Sequence, residues 1–225
     1  MEKKKIIKNV LKIALIVIAI LLVILIIHTI RNYVIVTDLQ NKIAEYNAST
    51  NYHIKSVSTE NNGTIVKMDY YKKDGKQVVF MERKVNNEIT KISMYNNGER
   101  TDTFTETKDS KTAQLNSGTI MSVGIYNHLE NDSKWQTMLG CISAKIKSVN
   151  YNGKECYIVK EFMSSTSLTS EGAEIYIDKE TGLFVKSTEA GIVNEREYEF
   201  NMVEDSIFTE PDISEYKLGS VTTNG

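Results

Sequence analysis

The sequence predicts an α+β protein in which one large antiparallel sheet packs over helices, preceded by one transmembrane helix. Three observations lead to this prediction: a long apolar run at the amino terminus, turn signals at regular intervals, and a segment of helical period between two runs of strand-like sequence. An order of helix, strands, helices and strands is typical of α+β folds and not of alternating βαβ units.

The net charge of the chain conceals two unlike parts. The 225 residues include 27 basic and 29 acidic side chains, a net charge of −2. The first 30 residues hold five lysines and one glutamate, so residues 31–225 carry 22 basic and 28 acidic side chains, or −6. Such a domain lacks the basic patch that binds nucleic acid or anionic lipid by charge.

The segment Val10–Ile30 predicts a membrane span, because its only polar residues are Lys12, His28 and Thr29. As a helix it is about 31 Å long, which matches a hydrocarbon core of roughly 30 Å. Lysines crowd the stretch before it, residues 1–9. The positive-inside rule therefore keeps this basic tail in the cytoplasm and places the main domain outside, on a single-pass anchor.

A cleaved signal peptide is the alternative for this segment. Signal peptides have a shorter apolar region, followed by a cleavage site of small residues. The residues after Ile27 read His-Thr-Ile-Arg-Asn-Tyr, which lacks that pattern. The sequence therefore favours an uncleaved signal anchor.

A short amphipathic helix is predicted just after the anchor. Leu39, Ile43 and Tyr46 recur at helical spacing with polar residues between them. Thr37 or Asp38 is a plausible residue to cap its start. This helix opens the predicted extracytoplasmic domain.

From Tyr52 to Gln114 the sequence predicts an antiparallel meander. Asn-Gly, Asp-Gly and Asn-Asn turn signals recur about every 11 or 12 residues. Taking Asp74-Gly75 and Asn86-Asn87 as loop residues fixes the register. The predicted cross-strand pairs are Tyr70–Val79, Met68–Met81, Lys67–Glu82, Met81–Ile92, Val79–Met94 and Glu82–Lys91. The apolar members then share one face, and the charged members share the other. The next strand departs from this pattern, because Phe104 falls on the charged face.

The second half of the chain predicts helices and then strands. Met121, Ile125 and Leu129 are spaced as in a helix, and a further helical turn is capped by Asp132 or Ser133. That turn carries Trp135, Met138 and Leu139. Strands resume at about Cys141 and continue to Phe200. The extracytoplasmic domain covers residues 37–217, and residues 218–225 are expected to fray.

Cys141 and Cys156 are predicted to be free thiols. The hairpin at Asn152-Gly153 places Val149, and not Cys141, opposite Cys156. Eight residues of strand would separate Cys141 from Val149 by about 26 Å. A disulfide needs Cα atoms within about 7 Å.

The sequence gives little support for an enzyme, so we assign no catalytic, metal or cofactor-binding residues. It contains no phosphate-binding loop and no Gly-x-Ser-x-Gly motif. His28, His53 and His128 have no metal-ligand spacing, and structural roles are favoured for the last two. Glu195, Glu197 and Glu199 could hold a divalent cation, but a solvated strand face is the favoured interpretation.

The candidate ligand site is the apolar face of the first meander. Its six residues are Met68, Tyr70, Val79, Met81, Ile92 and Met94. Methionine adapts to apolar partners of varied shape, so this face could line a cavity for acyl chains. A packed core beneath the helices is the favoured interpretation of this face, although the sequence alone cannot separate the two because core and cavity use the same residue types.

The carboxyl-terminal part resembles a known family. The residues Glu-Ile-Tyr-Ile-Asp-Lys-Glu-Thr-Gly-Leu at 174–183, followed by Tyr-Glu-Phe-Asn and Asp-Ser-Ile-Phe-Thr-Glu-Pro-Asp within 198–216, are similar to the closing strands of LolA/LolB-like lipoprotein-carrier domains and their membrane-anchored Gram-positive relatives. The resemblance covers about 43 residues. It implies an unclosed β-barrel over helices, with an apolar pocket whose wall would include Met68, Met81 and Met94. The anchor is a departure, because carriers that shuttle through a periplasm are soluble.

Two functions are therefore expected. The first is a membrane-tethered, non-catalytic domain of the bacterial cell envelope that binds lipid or lipoprotein acyl chains in an apolar cavity. The alternative is a regulatory or scaffolding module with a filled core that recognises another envelope protein. Neither function involves nucleic acid.

Overall fold

The computed structural model describes residues 2–116, 123–126, 128–129, 133–163 and 172–219, with side chains from residue 7 onward. The described residues form the helices α1 (Glu2–Asn47) and α2 (Lys134–Ser143) and a sheet of twelve strands. The strands are β1 (Asn51–Thr59), β2 (Ile65–Lys73), β3 (Lys76–Val85), β4 (Glu88–Asn96), β5 (Thr101–Glu106), β6 (Lys111–Gln114), β7 (Lys145–Tyr151), β8 (Lys154–Lys160), β9 (Glu174–Asp178), β10 (Phe184–Glu189), β11 (Ile192–Phe200) and β12 (Lys217–Leu218).

The sheet is large and unclosed, which confirms the predicted α+β fold. Its strand order is β12-β6-β5-β4-β3-β2-β1-β11-β10-β9-β8-β7. Neighbouring strands are antiparallel except β12, which runs parallel to β6. The pairing of β1 with β11 joins the first meander to the second and makes one continuous sheet.

The predicted register of the first meander is confirmed at all six pairs. The two turns have the left-handed backbone that a tight hairpin requires, since φ is 50° at Asp74 and 83° at Gly75, and 48° and 69° at Asn86 and Asn87. A slip of one residue would have exchanged the two faces of the sheet. The faces therefore carry the side chains that the sequence assigned to them.

The sheet has a helix-side face, against which α1 packs, and an outer face. On the helix-side face, α1 and α2 pack over β7 to β10 in one core cluster, and Tyr46 of α1 lies 4.7 Å from Phe200 between ring centroids. On the outer face, the carboxyl-terminal segment packs over β3 to β6 through Phe208 and Tyr216. This cover explains Phe104, which does lie on the outer face but is buried there, with its ring 5.1 Å from that of Tyr216.

The anchor and the predicted amphipathic helix are one continuous helix, so the predicted break at Thr37 or Asp38 is wrong. Val36 and Leu39 are fully buried and Ile43 nearly so, which confirms the predicted apolar face. The intervening residues include no glycine or proline, and packing against the sheet carries the helix through the polar positions. The described part of α1 includes a segment that is long and apolar enough to cross a membrane, with mean hydropathy 3.5 and no buried residues.

The helix predicted around residues 121–129 is not present in the described residues. Ile125 and Leu129 lie in irregular backbone, and Leu129 is fully buried there. Met121 and Asp132 lie outside the described residues. The second predicted turn is confirmed as α2, whose first residues are capped by Ser133, since its Oγ accepts a hydrogen bond from the amide of Gln136 at 3.2 Å.

Both cysteines are buried free thiols, as predicted, but one of the two reasons for that prediction was wrong. Val149 does lie opposite Cys156. Cys141, however, lies in α2 and not in a strand, because α2 continues to Ser143. The helix predicted for Trp135, Met138 and Leu139 therefore extends four residues past Leu139, to Ser143.

Candidate ligand-binding site on the helix-side face

The six predicted ligand-site residues lie together on the helix-side face, but in two environments. Tyr70 and Val79 are fully buried in a core cluster with Tyr52, Ile54 and Val123. The Tyr70 hydroxyl donates to Gln77 Oε1 at 3.1 Å, so even its polar atom is satisfied. These two residues therefore belong to a packed core.

The other four residues, Met68, Met81, Ile92 and Met94, are only half-buried. Met68, Met81 and Ile92 are direct cross-strand neighbours on β2, β3 and β4. They expose apolar surface on the face of the sheet that elsewhere forms the core. That they line a ligand cavity stays a prediction.

The same cross-strand row continues to a buried arginine. Arg196 on β11 pairs with Ser56 on β1, and Ser56 pairs with Met68. We call Arg196, Ser56, Met68, Met81 and Ile92 the arginine–methionine row. At a spacing of about 4.8 Å per strand, the row is roughly 19 Å long.

Arg196 is 9% exposed and lies between two aromatic rings. The guanidinium carbon is 4.8 Å from the ring centroid of Tyr126 and 5.2 Å from that of Phe184. Its Nη2 donates to the Tyr126 hydroxyl at 2.9 Å. Its Nε and Nη1 are fully buried and have no hydrogen-bond partner. No carboxylate among the described residues forms an ion pair with it.

Two titratable groups around Arg196, namely Tyr198 and His128, are uncharged at pH 7. Burial raises the pKa of Tyr198 to about 12, although the Arg196 cation opposes this shift, so its hydroxyl stays protonated. That hydroxyl is also buried, with the Arg196 guanidinium beside it. Burial, and then repulsion from Arg196, lowers the pKa of His128 to about 4, so this imidazole is neutral at pH 7. The arrangement has a positive charge and spare N–H and O–H groups, which is the chemistry that receives an anion.

Sequence reasoning missed Arg196, although a signal was present. The predicted solvated face of this strand carries Glu195, Glu197 and Glu199, so alternation turns Tyr198 and Phe200 inward. Because alternate residues of a strand point to the same face, position 196 points inward together with 198 and 200. The sequence therefore predicts a charged side chain in the core. An arginine at an inward position is the kind of local conflict that marks a functional site.

On the outer face, His53 and Glu199 are paired with each other and with neighbouring charged residues. His53 Nδ1 lies 2.8 Å from Glu199 Oε2, its Nε2 lies 2.8 Å from Asp69 Oδ1, and its ring stacks on Tyr71 at 4.0 Å. Glu199 also pairs with Lys55. Within the described part of the chain, no three His, Cys, Asp or Glu side chains are placed to hold a metal ion.

Two open clefts of the described surface do not lie at Arg196. A cleft of about 660 Å³ lies between the β3–β4 and β5–β6 turns and is lined largely by polar residues such as Asn87, Lys91 and Glu106. A depression of about 250 Å³ involves Met81 and Ile92 together with outer-face neighbours. Neither contains Arg196.

Comparison with known proteins gives weak structural likeness only. No family model and no curated protein matches the chain. The chain is similar to a crystal structure of MucB in complex with MucA(peri), with 12% identity and a TM-score of 0.34 over 78% of this chain, and it spans 60% of that structure's length. It is also similar to a putative outer membrane lipoprotein-sorting protein domain from Vibrio parahaemolyticus, with 7% identity and a TM-score of 0.27 over 76% of this chain and 94% of that one. At these TM-scores and identities the likenesses identify neither a ligand nor a partner.

Proposed function

We propose that the chain is a membrane-tethered extracytoplasmic domain that binds the acyl chain of a lipid or lipoprotein without catalysis. The single observation that carries the proposal is the apolar part of the arginine–methionine row. Its members Met68, Met81 and Ile92 are half-buried on the core-forming face of the sheet. The core beside it is closed, since Tyr70 and Val79 are fully buried. Met68, Met81 and Ile92 are therefore apolar side chains that the fold covers only in part, although Met68 also packs against that core.

The side chains of the row suit a flexible apolar ligand. Methionine is unbranched and polarizable, so it fits partners of varied shape at little cost. An acyl chain spans about half of a roughly 30 Å hydrocarbon core. The three apolar residues stand on adjacent strands, and with Ser56 and Arg196 the row is long enough to take such a chain.

The anchor supports a role at a membrane surface. The apolar part of α1 is uncovered by the rest of the molecule, while Val36 and Leu39 further along the same helix are core residues. Lysines precede the apolar part, and the domain that follows is acidic. Charge alone would not hold such a domain on an anionic membrane, so the helix supplies the attachment.

The alternative, a module that recognises an envelope protein, has one observation in its favour. Tyr52, Ile54, Tyr70, Val79 and Val123 form a filled core beside the row. If the row were only the margin of that core, the function would lie on another surface.

A photoactivatable acyl probe distinguishes the two functions. The full chain is placed in nanodiscs of phosphatidylcholine with palmitic acid that carries a diazirine, irradiated, and digested for mass spectrometry. We expect labelled peptides from β2, β3 and β4 in addition to α1, which the bilayer labels in any case. Met81→Arg should lower the strand labelling at least ten-fold, because a hydrated cation in the apolar part of the row, where the tail lies, excludes an acyl chain.

Met202→Arg is the matched control, because Met202 is an exposed methionine outside the row. It should leave strand labelling unchanged, and circular dichroism must show that both variants are folded. Wild-type protein that is labelled on α1 alone would contradict acyl binding and favour the alternative.

A further inference from the structure

The arginine–methionine row ends in a charged group that the acyl-binding function does not by itself require. A buried cation without a counter-ion is costly, because it loses its hydration and gains no partner. Arg196 has aromatic neighbours on two sides and one hydrogen bond to Tyr126, yet two of its nitrogens remain unpaired. Among the residues that the structure describes, this guanidinium therefore has no counter-ion.

A second unpaired donor lies next to it. Tyr198 is two residues along the same strand, and its side chain points to the same face. Its buried hydroxyl has no hydrogen-bond partner. The Arg196 guanidinium and this hydroxyl act on each other, and the N–H and O–H groups that they leave unpaired would suit a group with several acceptor oxygens and negative charge.

The order of residues in the row gives the ligand an orientation. Arg196 is nine-tenths buried, Ser56 is also buried, and Met68, Met81 and Ile92 are half-buried. Ser56 has the smallest side chain of the five, so the path from Met68 to Arg196 has the least side-chain volume to displace. A charged head at Arg196 would place an attached apolar tail over the methionines.

We propose that Arg196 and Tyr198 bind the anionic head of a single-chain amphiphile, a carboxylate or a phosphate, whose tail lies along Ser56, Met68, Met81 and Ile92. This inference rests on the proposed acyl-binding function and names its ligand class. Guanidinium is a strong N–H donor to carboxylates and phosphates. The Nε and Nη1 groups of Arg196, which point to different edges of the guanidinium, are the donors left free for this. The Tyr198 hydroxyl then donates to a further oxygen of the head.

The test compares three photoactivatable probes with the same diazirine tail and different heads: a carboxylate, a phosphate monoester and a neutral methyl ester. The full chain in phosphatidylcholine nanodiscs is labelled with each, and peptides from β2 to β4 are quantified. We expect at least one anionic probe to label these strands ten-fold more than the ester. The better of the two anionic heads identifies the source of the ligand, a free fatty acid or a phosphorylated lipid.

Two variants locate the head group. Arg196→Gln should reduce labelling by the preferred anionic probe about ten-fold, to the level of the ester, and leave labelling by the ester unchanged. Tyr198→Phe should reduce it about three-fold while leaving the fold intact, since it removes only a hydroxyl that has no partner. Lys67→Gln is the matched control, because Lys67 is an exposed cation beside Met68 on the opposite face of β2.

The outcomes separate this inference from the function on which it rests. If anionic and neutral probes label β2 to β4 equally, acyl binding stands and the anion site is refuted. If Arg196→Gln does not fold, Tyr198→Phe decides, and wild-type labelling in that variant would overturn the proposal. If no probe labels the strands, the acyl-binding function has failed, and the anion site with it.

Discussion

At the scale of single residues, burial and the neighbouring Arg196 change the pKa of His128. His128 lies against the same ring as Arg196, with its imidazole 4.9 Å from Phe184, and its φ of 62° is left-handed. Burial and the Arg196 cation lower its pKa to about 4, while Glu189 acts in the opposite direction. The folded protein therefore resists protonation of a residue that the unfolded chain protonates near pH 6.5.

This difference predicts a loss of stability at mildly acidic pH. Because the folded pKa lies below the unfolded value, the contribution of His128 is complete above pH 6.5 and is lost as the pH falls from 6.5 to 4. The loss amounts to roughly 3 kcal/mol at most, since each pKa unit corresponds to about 1.4 kcal/mol. Urea unfolding of the full chain in detergent at pH 7.5, 6 and 5, followed by circular dichroism, measures it.

His128→Asn provides the comparison. Asparagine does not titrate and tolerates the left-handed backbone of this position. We expect the variant to lose less stability than the wild type between pH 7.5 and 5. Parallel curves for the two proteins would show that His128 does not carry the effect.

At the scale of elements, the joint between α1 and α2 connects the anchor to the domain. Asn32 is fully buried and its Nδ2 donates to the carbonyl oxygens of Ala144 at 2.7 Å and Cys141 at 3.2 Å. His28 Nε2 lies 3.0 Å from the same Ala144 oxygen. The last carbonyls of a helix have no partner within that helix, so α1 supplies partners for those of α2.

Asn32→Ala should destabilise the domain by about 1 to 3 kcal/mol, because it leaves buried carbonyl groups without donors. Asn41→Ala is the matched control on the same helix, since Asn41 is exposed. That control should change stability by less than about 0.5 kcal/mol. Urea unfolding at pH 7.5 compares the two, and equal effects would refute a structural role for the joint.

The elements also show what sequence reasoning could reach. The first meander was predictable, because Lys67, Glu82 and Lys91 and the apolar residues beside them specify the same register independently. The outer face was less so: Phe104 is covered by Tyr216, more than one hundred positions away, and alternation carries no information on such contacts. The continuity of α1 was missed because a capping residue at Thr37 is a local signal, whereas the packing of Val36 and Leu39 is tertiary.

The candidate site was predictable only in part, for similar reasons. Met68, Met81 and Ile92 were found by their alternation. Periodicity cannot tell a half-buried residue from a buried one, so their separation from Tyr70 and Val79 needed the structure. Arg196 had the correct parity in the sequence, but its lack of a counter-ion among the described residues depends on how distant segments meet.

At the scale of the whole molecule, the positive-inside rule predicts that the amino terminus and the sheet lie on opposite sides of a membrane. The native cysteines favour a labelling test, because both are fully buried and burial raises the pKa of Cys141 to about 11. Buried thiols that hold their proton react slowly with maleimides. The unmodified chain should therefore give little background.

Lys108→Cys places a thiol at an exposed position of the β5–β6 turn, and Glu2→Cys places one in the basic tail without removing a lysine. A membrane-impermeant maleimide added to intact cells should label the first variant and not the second. After the membrane is permeabilised, both should react. Labelling of Glu2→Cys in intact cells would reverse the proposed orientation.

The unbroken course of α1 restricts how the domain can travel. The helix passes from its apolar part directly into the core, and Asn32 fastens it to α2 where the two meet. In a membrane, the domain could then diffuse laterally and rotate about the helix axis. It could not move further from the membrane, because no flexible linker separates it from the helix. An encounter is then a search in two dimensions at a fixed height, so exchange with neighbours in the same plane is the movement that this architecture permits.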